Sequence, residues 1–95
     1  METPGLVVLT PAGELDMADR DGLERAVVGA VRSAGVQHVV LDLADVTFID
    51  SEVLAAVIAG RNAAVAAGVR FCLANAHGMV RRVLEVTGLL EVLGS

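Results

Sequence analysis

The residues best placed to do chemistry lie in one stretch, Asp42-Leu43-Ala44-Asp45-Val46-Thr47-Phe48-Ile49-Asp50-Ser51. It sets a serine where a strand-and-turn unit hands over to a helix. The first amides of a helix have no intrahelical partners, and its dipole leaves partial positive charge at that end. A hydroxyl at such a point either caps those amides or serves as a modifiable oxygen, where a phosphate is electrostatically welcome. Both readings fit Asp50-Ser51: an N-cap alone, or an accessible, charge-sensitive phosphoacceptor.

The other reactive side chains carry less. His38 and His77 are far apart and have no Cys or carboxylate at metal-ligand spacing, so no metal site is expected. Cys72 falls in an alternating apolar segment and reads as packing rather than as an activated thiol. No Gly-x-Ser-x-Gly elbow surrounds Ser51, which argues against a serine hydrolase. Neither a Walker-type loop nor Gly-x-Gly-x-x-Gly occurs, so nucleotide binding has no local support. Arg81 and Arg82 read as a solvated helix face, with one stem covering apolar surface, or as a contact for an acidic partner. These residues point to a binding protein rather than an enzyme, with no cofactor.

The 95 residues suit a single domain, 1–95, large enough for a modest core. Hydrophobic residues make up 55% of the chain, yet only two are Phe and none is Trp or Tyr, so the core is built from small aliphatic contacts. With a net charge of −5, no basic stripe and no aromatic platform, direct nucleic-acid binding is not expected. Apolar runs break within about ten residues, short of the ~20 needed for membrane insertion. The start, Met1-Glu2-Thr3-Pro4-Gly5, has no signal-peptide pattern, and the lone Cys72 forbids an internal disulfide; both fit a cytoplasmic setting.

The elements that must position Ser51 follow from periodicity. Leu6–Leu9 reads as a strand, and Glu14-Leu15 as a second short strand or hairpin arm after the Pro11-Ala12-Gly13 turn. Asp19 is the expected cap of a first helix whose stripe is Leu23, Ala26, Val27, Ala30, Val31 and Ala34, with Gly35 as its stop. Val39 to Leu43 is a central strand beginning near His38. A second helix starts near Ser51, carries its period on Leu54, Val57, Ile58, Arg61 and Val65, and ends at Gly68. Val69 to Ala74 alternates as a strand. A third helix, from about Gly78 to Val86, buries Val80, Val83 and Leu84, and Leu89 to Leu93 forms a last short helix or strand. The expected fold class is α/β: a mixed β-sheet with helices packed against it, in the order β-β-α-β-α-β-α.

Three segments, in order, resemble the STAS domain, the family of bacterial anti-sigma-factor antagonists. Phe48-Ile49-Asp50-Ser51 followed by Glu52-Val53-Leu54 is similar to the family's Phe-hydrophobic-Asp-Ser-Ser/Thr-Gly-Leu turn. Gly13-Glu14-Leu15-Asp16 resembles the close of its second strand, and Val80 to Leu89 its late helix and the turn beyond. The resemblance implies partner switching. The unmodified protein binds an anti-sigma factor that is also a serine kinase, phosphorylation breaks the complex, and a protein phosphatase resets it. It implies Ser51 as the phosphoacceptor, with Asp16, Asp50, Ser51, Glu52 and Val53 at the partner-binding face. Glu52 and Val53 stand where the family usually has Ser or Thr and then Gly. Glu52 adds permanent negative charge beside Ser51, and Val53 adds a branched side chain. These departures fit a second expectation: an unphosphorylated scaffold subunit, for example of a lipid-transport ATPase complex. Where the family commonly continues into a C-terminal helix, this chain stops at Gly94-Ser95, and the resemblance then implies an apolar edge as an expected surface for a partner or for a homodimer.

Overall fold

The computed structural model describes residues 5–93. The readings of the N-terminal leader (residues 1–4) and of the chain's end at Gly94-Ser95 fall outside them. The elements are β1 (Leu6–Leu9), β2 (Gly13–Leu15), a 3-10 turn (Met17–Asp19), α1 (Arg20–Val31), β3 (His38–Asp42), β4 (Val46–Ile49), α2 (Ser51–Ala67), β5 (Arg70–Ala74), α3 (Gly78–Thr87) and α4 (Leu89–Leu93). The α/β class holds, and the order gains one strand, β4, where only a turn was expected ahead of α2. The segment Leu89–Leu93 is a helix.

The sheet pairings are parallel rather than mixed. β1, β3 and β5 form a three-stranded sheet in that spatial order, and β2 pairs with β4 in a separate two-stranded one. The second short strand expected at Glu14-Leu15 is present as β2, and among the described residues it pairs in parallel with β4 rather than as a hairpin arm with β1. The Leu43-Ala44-Asp45 turn bends the chain between β3 and β4, and Gly13, at φ 83°, bends the first strand to match. Its N–H donates to Asp45 O at 2.8 Å, which locks the two bends together.

Register decides which face is core. Val7, Val39 and Phe71 align, as do Leu9, Leu41 and Leu73, and these rows meet the helices. The opposite parity places Leu6 and Val8 outward, 38% and 48% exposed. One core cluster gathers Leu41, Leu43, Val46, Ile49, Val53, Val57, Leu73, Val80 and Leu84. The other joins Val27 and Val31 of α1 to Val39 and to Ala64 of α2.

Helix α2 turns a different face inward from the one expected. Val53, Ala56, Val57, Gly60 and Ala64 are buried, whereas Ile58 and Val65 are 42% and 67% exposed. Gly60 explains the choice: a methyl there would overlap Val27 Cγ1, so the absent side chain lets α1 and α2 approach closely. Both helices therefore pack as a pair across the sheet, with their N-termini at the same end.

Candidate functional site

That end is where the sequence candidates converge. Leu15 aligns with Ile49, so Asp16 and Asp50 each follow a neighbouring parallel strand and stand side by side at its exit. Asp50 is extended (φ −107°, ψ 179°) and its Oδ1 accepts from Val53 N–H at 3.0 Å, an N-cap of α2. Ser51 is the first helical residue and is exposed, and no side-chain hydrogen bond occupies its hydroxyl among the described residues. The two readings of Asp50-Ser51 thus separate by residue: Asp50 caps, and Ser51 is free.

Asp16 performs the same service one strand over. Its Oδ1 accepts from Ala18 N–H at 2.9 Å, while Asp19 Oδ2 accepts from Asp16 N–H at 2.9 Å. This capping box opens the 3-10 turn that feeds α1. Asp19 was expected to cap α1 itself; it holds helical backbone angles and makes no side-chain cap there, because its carboxylate is turned back to Asp16. Asp16-x-x-Asp19 carries the box spacing, a signal readable in the sequence.

Glu52 lies in the first turn of α2 and faces Arg20, the first residue of α1, with Oε2 3.6 Å from Nη1. Sequence reasoning missed Arg20. Nothing local marks it, since its partner is on another helix. Val53 requires a correction. Its side chain is 1% exposed and belongs to the core, so it presents no surface to a partner. Asp16, Asp50, Ser51, Glu52 and Arg20 together form an acidic ledge around one hydroxyl, over the N-termini of both helices.

A second set of polar contacts braces the loops behind. Asp42 Oδ1 accepts from Asn75 Nδ2 and from Ala44 N–H, both at 3.0 Å. The Asn75 amide first, and the Ala44 amide after it, hold the Asp42 carboxyl below the ordinary carboxylate range. Asn75 has φ 58°, the left-handed region that Asn tolerates better than most residues. His77 Nε2 lies 2.9 Å from Ala44 O, to which it donates. His38 starts β3, as expected, and its Nε2 is 3.2 Å from Cys72 Sγ on β5. Neither imidazole is paired with Ser51 among the described residues. Arg81 donates to Glu85 at 2.8 Å, and Arg82 lines a shallow apolar groove on α3 with Met79, Val83, Val86 and Thr87. Among the described residues no group of His, Cys, Asp or Glu could hold a metal ion, and no helix is long and apolar enough to cross a membrane.

The fold and this ledge define a small parallel α/β domain that presents an unbonded serine at a capped helix entry. The STAS domain model matches residues 1–94, and the chain belongs to that family. STAS domains are generally non-catalytic. No match was found among curated proteins. Among solved structures, a putative anti-sigma factor antagonist from Thermotoga maritima is 25% identical, with a TM-score of 0.82 over 94% of this chain and 76% of its own. The Bacillus cell fate determinant SpoIIAA in its phosphorylated form is 24% identical, with a TM-score of 0.74 over 98% of this chain and 84% of its own. The STAS domain of a SulP transporter from Vibrio cholerae is 21% identical, with a TM-score of 0.75 over 99% of this chain and 72% of its own.

Proposed function

We propose that this domain is an anti-sigma-factor antagonist that docks through the ledge around Ser51 and is released by phosphorylation of that serine. The observation that carries the reading is the division between Asp50 and Ser51. The cap is satisfied by Asp50, which leaves an exposed hydroxyl on an ordered helix entry. The fold is shared with SpoIIAA, an anti-sigma factor antagonist whose structure is known in unphosphorylated and phosphorylated forms. The partner is an anti-sigma factor with serine kinase activity. It transfers the γ-phosphoryl group of ATP to Ser51 Oγ: the Oγ–P bond forms, the bond to the ADP leaving oxygen breaks, and the hydroxyl proton passes to a base of the kinase. A protein phosphatase reverses the modification. The added group carries about −1.5 to −2 charges, on a surface already rich in carboxylates, so a docked acidic or apolar partner face is repelled and a buried contact is desolvated at a loss.

The test is calorimetry with the anti-sigma factor, joined to intact-mass analysis of protein recovered from its own cells. Ser51→Ala should bind as the native chain does, and Ser51→Asp should bind at least about tenfold more weakly, a loss of ~1.4 kcal/mol. Equal affinity for both variants would remove the switch.

A second reading rests on Glu52 and on the transporter domains that share this fold. There the domain is a constitutive scaffold subunit, for example of a lipid-transport ATPase complex, and Glu52 supplies a fixed charge beside an unmodified Ser51. Co-purification of a transport ATPase that is unaffected by Ser51→Ala supports it. Phosphate on Ser51 in cells counts against it.

A further inference from the structure

Arg20 is poorly used in the unmodified protein. Its guanidinium offers five N–H donors in a rigid fork. Yet its contact with Glu52 spans 3.6 Å, beyond hydrogen-bond length, and both side chains are partly exposed. Its Nε is shielded from solvent and has no hydrogen-bond partner. A shielded, unpaired donor costs free energy until an acceptor reaches it. The residue it faces, Glu52, is the immediate neighbour of Ser51, and adjacent Cα atoms are about 3.8 Å apart.

We propose that Arg20 is the residue that receives a phosphoryl group on Ser51, giving up Glu52 in exchange. The inference rests on the reading of Ser51 as phosphoacceptor and adds how the chain responds to the modification. A phosphate dianion offers three strong acceptor oxygens, and a guanidinium meets two of them in parallel, which a single carboxylate oxygen at 3.6 Å does not match. The exchange replaces one contact beyond hydrogen-bond length by charge-assisted hydrogen bonds from the guanidinium. It also frees the Glu52 carboxylate, so phosphorylation presents a partner with two changes at once: a new anion, and an old one no longer neutralised. Glu52 thereby becomes part of the switch: it is the partner that Arg20 gives up when the phosphate arrives.

The test needs no kinase and no anti-sigma factor. Phosphoserine is installed at position 51 during translation of the full chain, and the phosphate's second pKa is followed by phosphorus NMR. The carboxylates at this end of the domain, Asp16, Asp19, Asp50 and Glu52, act to raise that pKa from its ordinary value of about 6, while Arg20 and the α2 amides act to lower it. Arg20→Gln should raise the pKa by about half a unit or more, Arg20→Lys should restore part of the difference, and Glu52→Gln should lower it. The same pKa in native and Arg20→Gln protein overturns the proposal. If Arg20→Gln fails to fold, the Arg20 Nε–H resonance of the native chain decides: it should move downfield when phosphoserine replaces serine, and an unmoved resonance overturns the proposal. Because no partner takes part, a negative result removes the role of Arg20 and leaves the docking function to its own calorimetric test.

Discussion

The close packing of α1 on α2 makes Gly60→Ala a quantitative probe of the scaffold under the ledge. On helix propensity alone the change is favourable by about 1 kcal/mol, because alanine restricts the unfolded chain and suits a helix interior. Geometry opposes it. The new methyl would overlap Val27 Cγ1 and lie 3.3 Å from Val27 Cβ and 3.8 Å from Phe71 Cε2. Val27 is fully buried and β-branched in a helix, so it has almost no second rotamer to adopt. Overpacking of this kind costs about 1–3 kcal/mol, and a rigid neighbour puts this case near the upper end. The net expectation is a loss of about 1–2 kcal/mol, or a fall in Tm of roughly 4–16 °C for a domain of this size. Urea unfolding followed by circular dichroism measures it, with an unchanged m-value as the sign that the unfolded state is the same. A double-mutant cycle sharpens the test. Val27→Ala alone should cost about 2 kcal/mol through lost burial and a cavity. Combined with Gly60→Ala, the new methyl occupies the vacated space, so the pair should be no less stable than Val27→Ala alone. Gly60→Ala at or above native stability, or simple additivity in the pair, would refute the close-approach argument.

Three other outcomes follow from the same geometry. Asp50→Ala should lower unfolding free energy by about 1 kcal/mol through loss of the Val53 N–H cap, whereas Ser51→Ala should stay within about 0.5 kcal/mol of native in the same urea experiment. The Asp42 carboxyl is depressed in the folded state by Asn75 and Ala44, so its contribution to stability is present above the unfolded value of 3.8 and is lost as pH falls through the folded pKa. Asn75→Ala should move the Asp42 titration, read by carbon NMR, back up toward 3.8, and an unmoved titration would deny the Asn75 contact its role. Unphosphorylated Arg20→Gln should be within about 0.5 kcal/mol of native stability, as expected for an exposed ion pair, and a larger loss would mean that Arg20 supports the fold itself.

Much of this was legible in the residues. Asp50-Ser51 at a helix entry, the stops at Gly68 and Gly88, and the stripe of α3 on Val80 and Leu84 all appear where local pattern places them. What local pattern could not supply was choice among equals. Leu54 to Ala59 is apolar on every face, so periodicity placed Val57 inward, as found, but could not tell that Val53 turns inward while Ile58 does not. The close approach of Gly60 to Val27 favours the face that is found. Val46-Thr47-Phe48-Ile49 was hidden as a strand because its partner is β2, far away in sequence and itself only three residues long. The site divided in the same way. Its serine and its cap are neighbours and were found, whereas Arg20 reaches the ledge through tertiary packing and was not.

The separation of cap from hydroxyl sets the range over which a mark on Ser51 can be read. Since the Asp50 cap does not use the Ser51 hydroxyl, a phosphate written there would leave the helix entry closed, and its removal would leave nothing to refold. Its field would fade within about 8 Å at an ionic strength of about 0.15 M. A partner seated on the ledge would feel such a charge most strongly, so a phosphate there would weigh chiefly on the lifetime of a complex.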